Sequence, residues 1–193
     1  NTFMYNNITP DPRPISWMVA ASALTATFAS IFMGALSDRL RHRWGRKPFL
    51  LIGYLAWGIT TAAFPTAAFF KPVGLAIFLA ILFDCAMTFF GSSANDSVFH
   101  AYVTDITTVC NRGRVMGVLQ ILTWVALLIV YGGAGFIIEG VGYNAFFYLI
   151  GGMVFILGLL SAVLIQENRP AEPVQGSYWS QITSTFQWQT LKR

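Results

Sequence analysis

The sequence predicts an all-α fold, a polytopic bundle of transmembrane helices, on three observations. Residues 15–37 are 23 uncharged side chains in succession and residues 49–70 are 22, each run longer than the roughly 20 residues a helix needs to cross a bilayer core. Only 10% of the 193 residues are charged and 55% are hydrophobic, with a mean hydropathy of +0.60, whereas a soluble domain carries about 25% charged residues. The remaining charges gather at the ends of the apolar runs. Lipid offers no partner to a free backbone N–H or C=O, so runs of this length are read as helices.

The elements follow in order. Residues 1–14 are polar, hold Pro10, Pro12 and Pro14, and lack the charged and apolar regions of a signal peptide; they are expected to form an outer loop. The first span covers about residues 15–37 and runs into a basic cluster, residues 34–48, which holds five of the twelve Lys and Arg residues and reads as a tight turn. The second span covers about 49–70. The third, about 76–106, is interrupted by Asp84, Asp96 and Asp105. The fourth, about 115–138, and the fifth, about 143–166, are parted by Glu139 in a Gly-flanked turn. Beyond them Pro170 and Pro173 break the pattern, and residues 167–193 are expected to be a cytoplasmic linker. Trp179, Ile182 and Phe186 there fall on one side of an interfacial helix.

The basic residues orient the bundle. With the turn inside, Arg39, Arg41, Arg43, Arg46, Lys47, Arg112, Arg114, Arg169, Lys192 and Arg193 are cytoplasmic, and only Arg13 and Lys71 are outside. That is a positive-inside pattern. Residues 1–14 then lie outside, the carboxyl end is cytoplasmic, and the chain is expected in the plasma membrane. A chain that starts outside calls for an upstream span, so the five helices are expected to be the second to sixth of six. Membrane anchoring accounts for the pI near 9.3, and no nucleic-acid partner is expected. Cys85 and Cys110 are too few and too scattered for a disulfide framework or a metal site. With no nucleophile–base pair, metal-ligand cluster or phosphate loop, neither enzyme activity nor a metal or cofactor is expected.

Depth singles out one acid. Counting about 20 residues back from a cytoplasmic end near Ile106 puts the core of the third span at about residues 86–106. Asp96 is then near the midplane, with Asp84 about 18 Å further out, near an outer vestibule. A charge at mid-membrane costs about 2.5–3.5 kcal/mol, so Asp96 must face a cavity or a partner. At α-helical spacing Ser92, Asp96, Phe99 and His100 share a face, with Asn95 beside it. Carboxylate, ring, imidazole and hydroxyl together suit a polyol, and the carboxylate can carry a proton. The plain alternative is a helix-packing acid with its own partner. On the fourth span Gln120, Trp124 and Tyr131 lie on roughly one face, where Trp124 suits either stacking on a sugar ring or packing. Gly113 and Gly117 form a Gly-x-x-x-Gly step expected at a close helix contact.

The cluster between the first two spans has its own rationale. Gly34 lets the helix approach a neighbour closely, and Asp38 stands among guanidinium groups suited to pairing with it. Asp105 with Arg112 and Arg114 supplies a second acid–base set at the same face. The series Gly34, Asp38, Arg39, Gly45, Arg46, Lys47 resembles the signature of the major facilitator superfamily between its second and third helices. Residues 37–46, Ser-Asp-Arg-Leu-Arg-His-Arg-Trp-Gly-Arg, are most similar to the glycoside–pentoside–hexuronide:cation symporter branch and its sucrose-carrier relatives. A second likeness runs from Asn95-Asp96-Ser97 through Asp105 to Asn111-Arg112-Gly113-Arg114.

This resemblance covers nearly the whole chain and implies the amino-terminal half of a secondary transporter without its first helix, working with a carboxyl-terminal half or a second copy. It implies cytoplasmic gating by Gly34, Asp38, Arg39, Gly45, Arg46, Asp105, Arg112 and Arg114, with Arg46 reaching Asp105. It also implies solute binding at Asp96, which aligns with an aspartate that contacts sugar in melibiose-type carriers. The expected function is proton-coupled transport of a small polar solute, a sugar or glycoside, by alternating access. The chain departs from the branch in having no acid in residues 15–37 and no basic residue in residues 115–138. The superfamily's intramembrane arginine on the fourth helix is absent too. The missing acids count against sodium as the coupling ion. The alternative is a half-length membrane scaffold or binding protein without transport, since six helices alone do not form a site between two pseudo-symmetric halves.

Overall fold

The computed structural model describes residues 2–165. The expected linker at residues 167–193, with Arg169, Lys192 and Arg193, lies outside the described residues. Every regular element among those described is helical. In order these are α1 (Thr2–Asn7), α2 (Pro12–Trp44), α3 (Lys47–Ala63) with a 3-10 extension (Phe64–Phe69), α4 (Val73–Gly91), a π-helical stretch (Ser92–Phe99), α5 (His100–Ile106) and α6 (Val109–Leu164).

Asp11 starts α2. Its Oδ1 accepts the Arg13 N–H at 2.9 Å, and Pro12 sits where a helix has no N–H bond to lose. α2 then continues to Trp44, so most of the basic cluster is helical rather than a turn. The turn itself is Gly45 and Arg46. Gly45 takes φ 74° and ψ −172°, a region essentially closed to L side chains, and its N–H closes α2 on the Arg41 carbonyl at 3.0 Å. Pro65 opens the 3-10 turns that end the next span, and α4, the π-helical stretch and α5 together make the third.

The last two expected spans form one helical run. α6 opens on a capping box in which Asn111 Oδ1 accepts the Thr108 N–H at 2.8 Å. Its 56 residues would reach about 84 Å at 1.5 Å per residue, far more than one bilayer core of about 30 Å. The break between spans falls at Gly142, with φ 86° and ψ 168°, and not at Glu139, whose side chain is compatible with continued helix.

Among the described residues four helical stretches are long and apolar enough to cross a membrane: Pro12–Trp44, Lys47–Phe69, Val73–Ile106 and Val109–Ser161. Large apolar side chains point outward from them, among them Leu24, Ile52, Leu128 and Phe136, as lipid rather than water as solvent requires. The protein is an integral multi-pass membrane protein. α2 packs on α4 and the π-helical stretch, and α3 packs on α4 and α6. The α3–α6 contact is made past Gly142, where a Cβ on Gly58 would stand 2.8 Å from the Gly151 carbonyl oxygen. The earlier part of α6 is open. Gly113 and Gly117 meet nothing within 4 Å, so the close contact expected of them is not made among the described residues.

Residues 2–14 also differ from the loop expected over residues 1–14. α1 carries Phe3 and Met4, both buried, into a cluster with Met18 and Phe64. The Phe3 ring lies 5.3 Å from Phe64 and 5.5 Å from Phe147, and Asn6 Nδ2 donates to the Tyr143 hydroxyl at 2.9 Å. Burial of two large side chains outweighs the polar composition around them.

Candidate functional site

At the end of the bundle where α2 meets α3 and α5, one guanidinium gathers three elements. The Arg46 side chain is 6% exposed. Its Nε donates to Asp105 Oδ2 at 2.6 Å, its Nη2 to Asp38 Oδ1 at 2.6 Å, and its Nη1 to Ser37 Oγ at 2.9 Å. Arg41 Nη1 lies 3.0 Å from the other Asp105 oxygen. Two cations and two carboxylates therefore balance, which is the condition for keeping a charge buried. Gly45 makes the arrangement: its sharp turn folds Arg46 back onto the last turns of α2. Gly34 sits one turn inward, where a Cβ would stand 2.8 Å from Ser97 Oγ.

The other basic residues assigned to this face act differently. Arg39 is exposed, and its carbonyl lies 2.9 Å from His42 Nδ1. Arg112 does not pair with Asp105. Its Nη2 donates to the Thr104 carbonyl at 3.0 Å and its Nε to Thr107 Oγ1 at 3.3 Å, capping the C-terminal end of α5. The reason is competition, since Arg46 and Arg41 already hold both oxygens of Asp105. Arg114 is exposed and has no ion pair among the described residues.

The π-helical stretch shapes the second cluster. Its wider turn, closed from residue i to i+5, is fitted against tight neighbours. A Cβ on Gly53 would lie 2.7 Å from Ala94 Cβ, and one on Gly91 would lie 3.0 Å from the Trp57 indole. Ser92, Ser93, Ala94 and Val98 are buried, while Asp96 and His100 are exposed. Asn95 Nδ2 donates to Asp96 Oδ1 at 3.2 Å, and the Tyr54 hydroxyl donates to Asn95 Oδ1 at 3.3 Å. His100 Nδ1 lies 2.8 Å from the Asn95 carbonyl oxygen, and the Phe99 and His100 rings meet edge to face at 6.1 Å.

Asn95, Asp96, Phe99 and His100 thus come together, and Ser92 does not join them. The shared face assumed α-helical winding, and the π turn rotates Ser92 into the packed side, where it is 7% exposed. Gln120 and Trp124 stand apart as well. Both are on the open part of α6, which leaves Trp124 60% and Tyr131 77% exposed, because α6 packs on α3 only past Gly142. Asp84 is also placed differently. Instead of lining an open vestibule it is buried in α4, set against Ser22 of α2.

Three contributors escaped the sequence reading. Ser37 and Arg41 complete the Arg46 cluster; both lie in the motif at residues 37–46, but neither was given a gating role there. Tyr54 reaches Asn95 from α3, and a tyrosine in an uncharged run gives no hint of its partner. Among the described residues no group of three or more His, Cys, Asp or Glu is placed to hold a metal ion.

Comparison with known proteins adds a separate line. A family model described as Major Facilitator Superfamily matches residues 1–193. Among curated proteins the chain is similar to Multidrug resistance protein 2 of Bacillus subtilis (strain 168), 27% identical over 158 residues, which is 82% of this chain and 36% of that relative. The chain spans about a third of the length of the relative it matches. No solved structure matches it.

Proposed function

Because the chain belongs to the Major Facilitator Superfamily, we propose that it is part of a secondary transporter moving a small polar solute across the plasma membrane by alternating access. One observation carries this reading. Asp96, a carboxylate within a membrane-spanning segment, is exposed, and Asn95 links it to His100, whose ring meets Phe99 edge to face. An acid at that depth is too costly to leave against lipid, so the Asp96 side is read as the wall of a water-filled solute path. The family's pseudo-symmetric architecture supplies the opposite wall from a carboxyl-terminal half or a second copy.

A sugar or glycoside is the leading solute. The free carboxylate oxygen accepts hydroxyl hydrogen bonds, and the Phe99 ring can cover an apolar sugar face. Asp96 is also the group proposed to carry the coupling proton. The Arg46–Asp38–Asp105–Arg41 cluster is proposed as the cytoplasmic latch, made in one state and broken in the other, with residues 1–14 outside. A second reading draws on the relative named for multidrug resistance: an organic cation would neutralise Asp96 at the same place.

The test is Asp96→Asn in the full-length transporter, reconstituted in proteoliposomes and assayed with a panel of sugars and organic cations. The substitution keeps volume and removes charge. Loss of a hydrogen bond to a charged group, about 1.5–3 kcal/mol, corresponds to affinity for the transported solute falling tenfold or more, or uptake no longer following the proton gradient. Normal affinity with unchanged pH dependence would make Asp96 structural.

A further inference from the structure

Tyr54 belongs to α3 and is half-buried, yet its hydroxyl ends at the residue that holds Asp96. The chain of donors runs one way: Tyr54 hydroxyl to Asn95 Oδ1 at 3.3 Å, then Asn95 Nδ2 to Asp96 Oδ1 at 3.2 Å. An amide has one accepting end and one donating end. With the Tyr54 proton on the oxygen, the nitrogen is the end turned to Asp96. A flipped amide would set oxygen against carboxylate oxygen. One oxygen of Asp96 is therefore occupied, and Oδ2 is left for the open side.

The same residue orients His100. The Asn95 carbonyl can only accept, so Nδ1 at 2.8 Å carries the proton. With that proton placed, Nε2 is the acceptor of the neutral form of the ring. Asp96 and His100 are both exposed, so the open side shows two acceptors.

We propose that Tyr54 is a positioning residue of the solute site: through Asn95 it presents Asp96 Oδ2 beside His100 Nε2, and the pair selects solutes that bring O–H or N–H donors. The proposal rests on the reading of the Asp96 side as the solute site. Hydroxyl-rich sugars and amine-bearing cations share this donor chemistry. A cation without donors lacks it.

Tyr54→Phe removes only the hydroxyl. The ring stacked on Trp57 at 6.1 Å and the Cβ contact facing Gly158 both remain, so the variant should fold. In the full-length protein carrying aspartate labelled with carbon-13 at the carboxyl, the Asp96 resonance is assigned by its loss in Asp96→Asn. Tyr54→Phe and Asn95→Ala should each move it, and the double variant should match Asn95→Ala alone. A resonance that stays in place in Tyr54→Phe, or that Tyr54→Phe still moves in the Asn95→Ala background, overturns the relay. Binding is then measured for sucrose, ethidium and tetraphenylphosphonium, the last having no donor. Tyr54→Phe should weaken sucrose or ethidium about fivefold, the worth of one hydrogen bond, without affecting tetraphenylphosphonium. Equal weakening of all three, or binding of tetraphenylphosphonium alone, overturns donor selection. If the resonances behave as stated but Asp96→Asn binds every probe normally, the solute-site reading itself fails, and the selection proposal falls with it.

Discussion

Asp105→Asn probes the more buried of the two carboxylates that hold Arg46. Asp105 accepts from Arg46 on one oxygen and from Arg41 on the other, and its side chain is 19% exposed. Removing one member of a buried ion pair costs about 3–5 kcal/mol, because the remaining charge is left uncompensated. Arg46 would still have Asp38, and the asparagine oxygen can accept one hydrogen bond, so a cost of about 3 kcal/mol, the lower end of that scale, is expected. Asp38 is equally close to Arg46, at 2.6 Å, but 51% exposed, and solvent screens an exposed pair down to about 0–1 kcal/mol. The two substitutions should therefore differ although the two distances are the same. Unfolding of the purified full-length protein in detergent micelles, followed by tryptophan fluorescence, gives both values. A double-mutant cycle with Arg46→Met isolates each coupling. Equal costs for Asp38→Asn and Asp105→Asn, or a coupling between Arg46 and Asp105 below about 0.5 kcal/mol, would refute the argument from burial.

Three further outcomes follow from the fold. Gly45→Ala places a side chain in a glycine-only region and should cost about 1–3 kcal/mol in the same assay; a neutral result would mean the turn readjusts freely. Phe3→Ala should cost about 3–5 kcal/mol as a buried aromatic truncation, while Tyr5→Ala, at a position 53% exposed, should change little; similar effects would show that α1 is not docked. Single cysteines at His42 and at Tyr5 should react with impermeant maleimide from opposite sides of intact cells. Labelling of His42 from outside with Tyr5 protected would reverse the orientation inferred from the basic residues, and labelling of both from outside would refute the topology.

The spans were legible because lipid imposes a coarse rule. A soluble fold rarely sustains twenty or more uncharged residues in succession, and residues 15–37 and 49–70 satisfy the rule without reference to packing. The meeting of Arg46 with Asp105 was foreseen only through the family resemblance, since 59 residues separate them. What escaped the sequence depends on contacts between elements. The π-helical stretch has no compositional mark. It depends on Ala94 fitting Gly53 and on Gly91 fitting Trp57, neither of which a single segment reveals. Ser92 was misassigned for that reason, and Tyr54 was overlooked because its partner lies on another helix. α1 is six residues long, too short to register against the polar residues around it. Gly142 was passed over for Glu139 because charge was weighed above backbone freedom. Arg112 was paired with an acid that two nearer guanidiniums already held.

The π-helical stretch also fixes the angular phase between the two ends of the third span. Ser92–Phe99 lies between α4, which carries buried Asp84, and α5, which carries Asp105. Each residue gained or lost from a helical winding turns everything beyond it by about 100°, since a turn holds 3.6 residues. If the stretch rewound to α geometry, α5 would swivel against α4 by an angle of that order. An oxygen held 2.6 Å from Arg46 Nε could not follow such a swivel. Winding at Asp96 and pairing at Asp105 are thus settings of one shaft.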